Sequence, residues 1–555
     1  MAADAALGEY FRLKHVNMRL LRFVNASIDG RRKMTYDYVV VGAGSAGSAV
    51  AARLAEAGAE VLVLEAGVPD EQQEIHIPVA FAGLFKSPLD WDYETEPQKF
   101  LNDRVDYWPR GKMLGGSSSI NAMIYQRGAH SDYDHWADLG NEGWSWSDML
   151  PLFKQSENQE RGASEYHGVG GPMNVADLRD PNILSSAFVA ACAEQGLALN
   201  DDFNAERQDG FGLYQVNQKD GMRWSAAKGY LHPALARDNL TAITGAHVTR
   251  LVIENGRCTG VAYVKDGEDH VAHATGEVIL SGGAINSPQV LMLSGIGPRQ
   301  HLESLGVDVI EDIPGVGQNL QDHMMCPVAY NTDREITLAA AGTEAEAAKF
   351  QADQMGMLTS NIAEAGGFVT LFDGSPAPEL QFHFGPTWFI FHGAGNPEGH
   401  GFTLLPTLVG TRSVGSMWLR SADPFDKPAL DPAYLEDERD MDVLLEGTKM
   451  ARRILRSAAF DEFRTTEHLP GEHVVSDEDL REHIRTYATG IYHPVGTVKM
   501  GSDDDAVVDD HLRVRGIKDL RVADASIMPV IVNANTNNPS IIIGEKCAQM
   551  VLAEA

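Results

Sequence analysis

Residues 491–501 read IYHPVGTVKMG, and His493 is the side chain there best suited to chemistry. Pro494 keeps the preceding residue out of helical geometry, so the imidazole sits on an extended or turning backbone. Three readings are open for a histidine held that way: a satisfied core residue, a metal ligand or a proton acceptor. No HxH or HxxxH pair lies near it, which argues against a metal. A second chemistry-bearing pattern stands near the other end, in YDYVVVGAGSAGSAVAARLAEAGAEVLVLEAG, residues 36–67. Gly42, Gly44 and Gly47 form GxGxxG, and Glu65 follows twenty-three residues after Gly42.

The elements around that pattern give each residue a task. Tyr38–Val41 is a β-branched apolar run and reads as a buried strand. Residues 48–57 carry small and apolar side chains at helical spacing, closed by Gly58. EVLVLE is a second buried strand ending on Glu65. In such a unit Gly42 permits the tight turn, Gly44 lets backbone approach a pyrophosphate, and Gly47 lets the helix pack closely on the sheet. The helix N-terminus offers unpaired N–H groups to phosphate, and Glu65 can accept from a ribose diol. The set indicates a dinucleotide site without separating NAD from FAD.

Composition narrows the partners. A net charge of −33 over 555 residues disfavours nucleic acid, because phosphate binding requires clustered Lys and Arg. Four cysteines without CxxC or regular spacing argue against a disulfide framework or a zinc site and fit a reducing, cytoplasmic setting. No run of eighteen apolar residues occurs, so no membrane span is expected. Residues 1–33 differ, with seven Lys or Arg against three acids, a net +4 that leaves −37 for the remainder. Leu13, Val16, Leu20, Phe23 and Val24 recur at helical spacing, so residues 8–26 read as a basic amphipathic helix. Such a helix either packs on its own protein or makes a peripheral contact with the inner face of a membrane. The oligomeric state is not readable from the sequence.

Two further segments carry a family resemblance. In WPRGKMLGGSSSINAMIYQRG (108–128), Gly115, Gly116 and three serines suit a loop passing close to a flat ligand, continued by Asn121 and AMIY. A second loop, SGGAINSPQVLMLSGIG (281–297), is expected after the strand GEVILS. These resemble the two signature segments of the glucose–methanol–choline (GMC) oxidoreductases, FAD-dependent alcohol oxidoreductases. YHGVGGPMNV (166–175), LHPALARDNL (231–240), PGVGQNLQDH (314–323), DPAYL (431–435), YHPVGTVKMG (492–501), LRVADASIMP (520–529) and NANTNNPSIIIGEKCA (533–548) match in family order. The chain is most similar to the bacterial choline-dehydrogenase-like and aliphatic alcohol dehydrogenase subgroup.

The resemblance implies an α/β (α+β overall) architecture. A Rossmann-like FAD-binding domain (34–175, 220–330 and 485–555) would interleave with an antiparallel-sheet substrate-binding domain (176–219 and 331–484). ELQFHF (379–384), FTLLPTLVG (402–410) and GSMWLRS (415–421) are its candidate strands, 441–457 its helix, and 338–357 a surface helix or lid. The cofactor implied is FAD, its ADP part on Gly42, Gly44, Ser45, Ala46, Gly47, Glu65 and Ala66, with the backbone of Val248 at the adenine. The ring would lie along Met113, Ser117, Asn121, Ala122, Met123 and Ile124, and under Asp524 and Ala525. Some members attach FAD through a histidine just before the asparagine equivalent to Asn121. Ile120 stands there and has no nucleophilic atom, so non-covalent FAD is expected.

In the family the histidine of the HP-V/A-G-T motif is the active-site base, which implies that role for His493. A neutral imidazole has the pKa best matched to taking a hydroxyl proton near neutrality. The developing alkoxide needs a donor aimed at the same oxygen. Asn533, Asn535 and Asn537 compete; the family's second active-site residue lies ten positions before the acid of GEK, here Glu545, which gives Asn535, with Asn537 next. His167, His232 and His323 read as structural. Glu364 either attracts a cationic head group or is structural. The activity implied is oxidation of a primary alcohol to the aldehyde, electrons passing to a quinone-like or other non-NAD acceptor. An O₂-using oxidase, a flavin lyase or photodecarboxylase, and a non-catalytic flavoprotein are the rivals.

Overall fold

The computed structural model describes residues 35–555, so the basic helix expected over 8–26 lies outside it. Thr35–Val41 is the central strand of one sheet, pairing in parallel with Val61–Glu65 on one side and Glu268–Leu280 on the other. Leu240–Thr244 extends the sheet in parallel beyond Val61–Glu65, and Leu520–Val522 pairs in parallel with the end of Glu268–Leu280. Arg257–Lys265 and His247–Glu254 then add an antiparallel flap. Val39, Val40, Leu62 and Val63 are fully buried, as the strands of a sheet covered on both faces must be. Each contributes about 1.5–3 kcal/mol by leaving water.

The helix after GxGxxG runs Ser45–Glu56, three residues earlier than its spacing suggested. It is clamped by the last helix, Asn537–Glu554. Arg53 reaches both oxygens of Glu545 at 2.8 Å, and Tyr230 donates to the same carboxylate at 2.6 Å. Ser45 Oγ donates to Asn537 Oδ1 at 2.7 Å, tying the glycine motif to the NANTNNPS segment 492 residues away.

The expected loop over 281–297 is corrected: most of it is helix, Gly283–Leu293. Two glycines and Pro288 gave it the look of a loop. Burial of Ile285, Leu291 and Met292 favours the helix instead. Proline removes the N–H that would pair with the carbonyl four residues earlier. That carbonyl, of Ala284, accepts from Thr497 Oγ1 at 2.6 Å, so the helix loses no buried partner there.

A second sheet is antiparallel, ordered Glu467–Leu469, Val328–Thr332, His400–Leu408, Leu380–Gly385, Ala365–Val369 and Gly210–Leu213. Met324–Met325 pairs with both His400–Leu408 and Thr489–Gly490. The amphipathic helix Glu438–Leu455 packs on its back. Ser416–Trp418 forms a strand, but in a separate two-stranded sheet with Ala429–Asp431. Within 338–357 the helix is Glu344–Asp353, seated by Phe350 against Ile77, Ala341 and Leu358.

Candidate active site

A single long cleft runs from the glycine motif to His493. It is lined by both sheets, by the 116–124 loop and by the 524–540 segment. Of the residues singled out for a cofactor, Gly42, Gly44, Ser45, Ala46, Glu65, Ala66, Ser117, Asn121, Ala122, Met123, Ile124, Val248, Asp524 and Ala525 line it. Gly47 and Met113 do not. Gly47 faces the turn, where a Cβ would stand 2.0 Å from the Gly42 carbonyl oxygen. Met113 packs its side chain among Ile75, Leu84, Leu89 and Ile120.

The dinucleotide end has the features its motif predicts. Gly42 has φ +96°, and a Cβ there would meet the Ser281 carbonyl at 2.5 Å. Gly44 has open space where a Cβ would be and caps the helix with no side-chain hydrogen bond. No acid occupies the helix's first turn, so its N–H groups stay available to an anion. Glu65 accepts from the backbone N–H of Ala43 (2.9 Å) and Gly67 (2.8 Å), which fixes its carboxylate at the strand end. Burial raises its pKa, and those amides pull it back. Asp524 accepts from Gly283 N–H and Ser526 N–H, each at 2.8 Å, and from Ser287. The open N–H groups at the helix N-terminus and the fixed Glu65 carboxylate suit a dinucleotide lying across the strand ends.

The 116–124 loop is propped from behind. The fully buried Arg223 donates to Asn121 Oδ1 (2.8 Å), the Ser118 carbonyl (3.2 Å) and the Ile75 carbonyl (2.8 Å). Burial without a carboxylate partner lowers its pKa to about 9. Met123 is held at φ +57°, a strained conformation of the kind that persists where surroundings over-determine it.

At the other end the chain folds around His493. Residues 491–495 run beside 321–323, with Ile491 N–H on the His323 carbonyl and Val495 paired to Gln321. Tyr492 turns at φ +70° between these pairs, so the histidine projects into the cleft. Its backbone N–H donates to Asp322 at 2.6 Å. Asp322 also accepts from Tyr434 OH, and burial lifts its pKa to about 7. His493 Nδ1 lies 3.0 Å from His323 Nδ1, and His493 Nε2 lies 3.3 Å from Asn535 Nδ2. Burial, then the neighbouring His323, His383 and Arg110, hold the His493 pKa well below its usual value. The imidazole is neutral, with a lone pair to give.

The three asparagines are separated by their contacts. Asn535 meets His493. Asn537 lines the cleft but is taken by Ser45, while Asn533 donates to the Pro378 carbonyl outside it. His323 differs from its structural reading, since it touches His493 directly. His232 instead meets Asp70 at 2.9 Å, and His167 lies between Glu157 and Asp202. Glu364 accepts from Ser185, Ser360 and the Asn182 backbone and does not line the cleft, so it is structural. Among the described residues no cluster of His, Cys, Asp or Glu is arranged to hold a metal.

Sequence reasoning missed Arg110, Gln381 and His383. Arg110 and His383 line the cleft. Burial holds His383 neutral, at a pKa of about 3. Gln381 stands behind Asn535 and donates to its Oδ1 at 3.0 Å. Gln381 and His383 share one face of the Leu380–Gly385 strand, yet both are buried. Polar residues alternating along a strand with no exposed face were the usable signal.

Comparison with known proteins follows the same outline. Family models described as GMC oxidoreductase match residues 36–325 and 411–544. An alcohol dehydrogenase [acceptor] from Pseudomonas putida is 44% identical over 529 residues, covering 93% of this chain and 96% of that one. Human mitochondrial choline dehydrogenase is 43% identical over 541 residues, covering 95% and 91%. A solved structure of formate oxidase from Aspergillus oryzae, concerned with modification of its FAD, superposes with a TM-score of 0.89 at 28% identity. It covers 94% of this chain and 98% of that one.

Proposed function

The chain belongs to the GMC oxidoreductase family, and from that premise we propose that it oxidises an uncharged primary alcohol to the aldehyde, with FAD held non-covalently. FAD, when bound, supplies a two-electron acceptor for the hydride leaving the alcohol carbon. Gly42, Gly44, Ser45, Ala46, Glu65, Ala66 and Val248 would hold its dinucleotide part. Ser117, Asn121, Ala122, Met123, Ile124, Asp524 and Ala525 would shape the site of its ring. The glycine cradle and the uncapped helix N-terminus support that fit.

The observation that carries the reading is the pair of groups converging on one point of the cleft. The Asn535 amide and the His493 Nε2 stand 3.3 Å apart. A hydroxyl set against both from the cleft side would give its proton to His493 and accept from Asn535 as negative charge develops on oxygen. The apolar walls of Phe81, Phe85, Ile362, Phe389, Leu405 and Ile491 exclude water.

The same walls support an uncharged substrate. Glu65 and Asp524 are the only carboxylates lining the cleft among the described residues, and both are tied to backbone amides at the parallel sheet. Among the described residues, Arg110 is the only Lys or Arg lining the cleft. A cationic alcohol would therefore rely on aromatic faces alone. Electrons would pass on to a quinone-like or other non-NAD acceptor, as the bracketed acceptor of the P. putida relative suggests.

Anaerobic addition of alcohol to the flavin-loaded protein tests the reading. Bleaching of the flavin is expected with uncharged primary alcohols and much less with choline. In His493→Ala, about 10²–10⁴-fold slower bleaching is expected with FAD still bound. Unchanged bleaching in that variant would overturn the role of His493, and a preference for choline would overturn the substrate class.

A further inference from the structure

Resting on that reading, we infer that Gln381 is a positioning residue. It orients the Asn535 amide and, through it, fixes which nitrogen of His493 carries the proton. One group in this chain has a fixed polarity. The Phe382 backbone carbonyl can only accept, and Tyr214 OH lies 2.6 Å from it, so the tyrosine proton points there. The Tyr214 oxygen is left to accept, and the group facing it at 3.2 Å is the Gln381 amide nitrogen. The other hydrogen of that nitrogen goes to Asn535 Oδ1 at 3.0 Å. The opposite amide orientation would set the Gln381 oxygen against the lone pairs of Tyr214.

Asn535 is thereby turned with its oxygen to Gln381 and its NH₂ to His493. A donor facing Nε2 at 3.3 Å requires a lone pair on Nε2. The neutral ring then carries its proton on Nδ1, which donates to His323 Nδ1 at 3.0 Å. Nε2 is the atom that faces the cleft beside Asn535, so the chain of polarity presents a proton acceptor there rather than a donor. The other ring nitrogen and its partner set the tautomer in the usual case; here His323 Nδ1 can take either role, and the Asn535 side decides. Gln381 Oε1 has no hydrogen-bond partner among the described residues, so both polar contacts of this side chain are made by its NH₂.

Three variants test this. In Gln381→Glu, an ionised carboxylate accepts where the amide donated. Asn535 then turns its NH₂ to residue 381 and its oxygen to His493, selecting the tautomer with a proton on Nε2. The rate of alcohol-dependent flavin reduction, taken as a ratio to wild type, should fall about 10²-fold at high pH. It should recover as pH falls and the new carboxyl is protonated, because a neutral acid donates again. Gln381→Leu should lose about 10-fold at every pH, since Asn535 is then free to take either orientation. Tyr214→Phe should lose less, and it keeps the assay informative if the other two fold poorly.

A second readout is independent of turnover. In protein labelled with ¹⁵N-histidine, the His493 signals, assigned by their loss in His493→Gln, should report a protonated Nδ1 in wild type and a protonated Nε2 in Gln381→Glu at high pH. A pH-independent loss in Gln381→Glu, or an unchanged tautomer, would overturn the inference. Full inactivity of wild type toward every alcohol, with the expected tautomer in place, would instead overturn the functional reading beneath it.

Discussion

The two ends of the cleft are built in opposite ways. The dinucleotide end centres on one contiguous stretch, Gly42 to Ala66, and works mainly through backbone: absent side chains, open N–H groups and a carboxylate fixed at a strand end. The proton-transfer end draws His323, Gln381, His493 and Asn535 from four separated segments and works through side-chain polarity. A backbone cradle is set by sterics and has no room for an added atom at Gly42 or Gly47. A side-chain relay is set by hydrogen-bond direction and tolerates shape changes better than changes of donor into acceptor. Substitutions should therefore fail differently at the two ends.

The largest failure is expected at the cradle. Gly47→Val would drive a branched side chain against the Gly42 carbonyl, where a Cβ alone already approaches to 2.0 Å. Both partners are backbone in a turn held between buried strands, so neither can give. The purified variant should be colourless or insoluble, measured as flavin absorbance per protein. Full flavin content would show that the turn is looser than its geometry indicates, and would erase the contrast between the ends.

A smaller and cleaner loss is expected at the relay. Asn535→Ala removes the donor that stands 3.3 Å from His493 Nε2 and leaves the glycine motif untouched. Removing one such donor typically costs about 10²–10³-fold in rate. Flavin reduction should slow by that factor with flavin content unchanged, and thermal unfolding should move by no more than a few degrees. Loss of flavin together with rate would mean that Asn535 serves the cradle as well.

This division explains what the sequence made legible. The strand–glycine–helix–strand unit could be read because its physics is mostly local: the turn, the Gly47–Gly42 contact and the strand-end acid fall within thirty residues, and only the Ser281 carbonyl facing Gly42 is distant. The Leu380–Gly385 strand was found by its alternation, but the meaning of that alternation was not, because Gln381 acquires a role only when Asn535 is folded against it. His323 was read as structural for the same reason; nothing in QDH announces a partner 170 residues away. The helix Gly283–Leu293 was hidden by Pro288, whose cost is met by a hydroxyl from Thr497, again a distant residue. Glu364 looked available to a ligand until Ser185, Ser360 and Asn182 were seen to occupy its oxygens.

The smallest expected effect is a displacement along the pH axis. A proton-accepting imidazole works in its neutral form, which dominates above its pKa. Burial, then the neighbouring His323, His383 and Arg110, press the His493 pKa well below the usual value near 6.5. His323, in direct contact, is itself lowered to about 3 by burial and does not bring a competing charge near neutrality. Asp322, on the His493 backbone N–H, has a pKa raised to about 7 by burial, so it is the group that gains a proton as pH falls through that value. Its titration reaches His493 through a backbone contact and should alter the rate only modestly. The rate of flavin reduction should thus persist below pH 6.5, with its acid limb set lower. A tenfold fall per pH unit beginning at 6.5 would mean an ordinary, solvated histidine, and the relay would then lack the dry surroundings that make its hydrogen-bond polarity decisive.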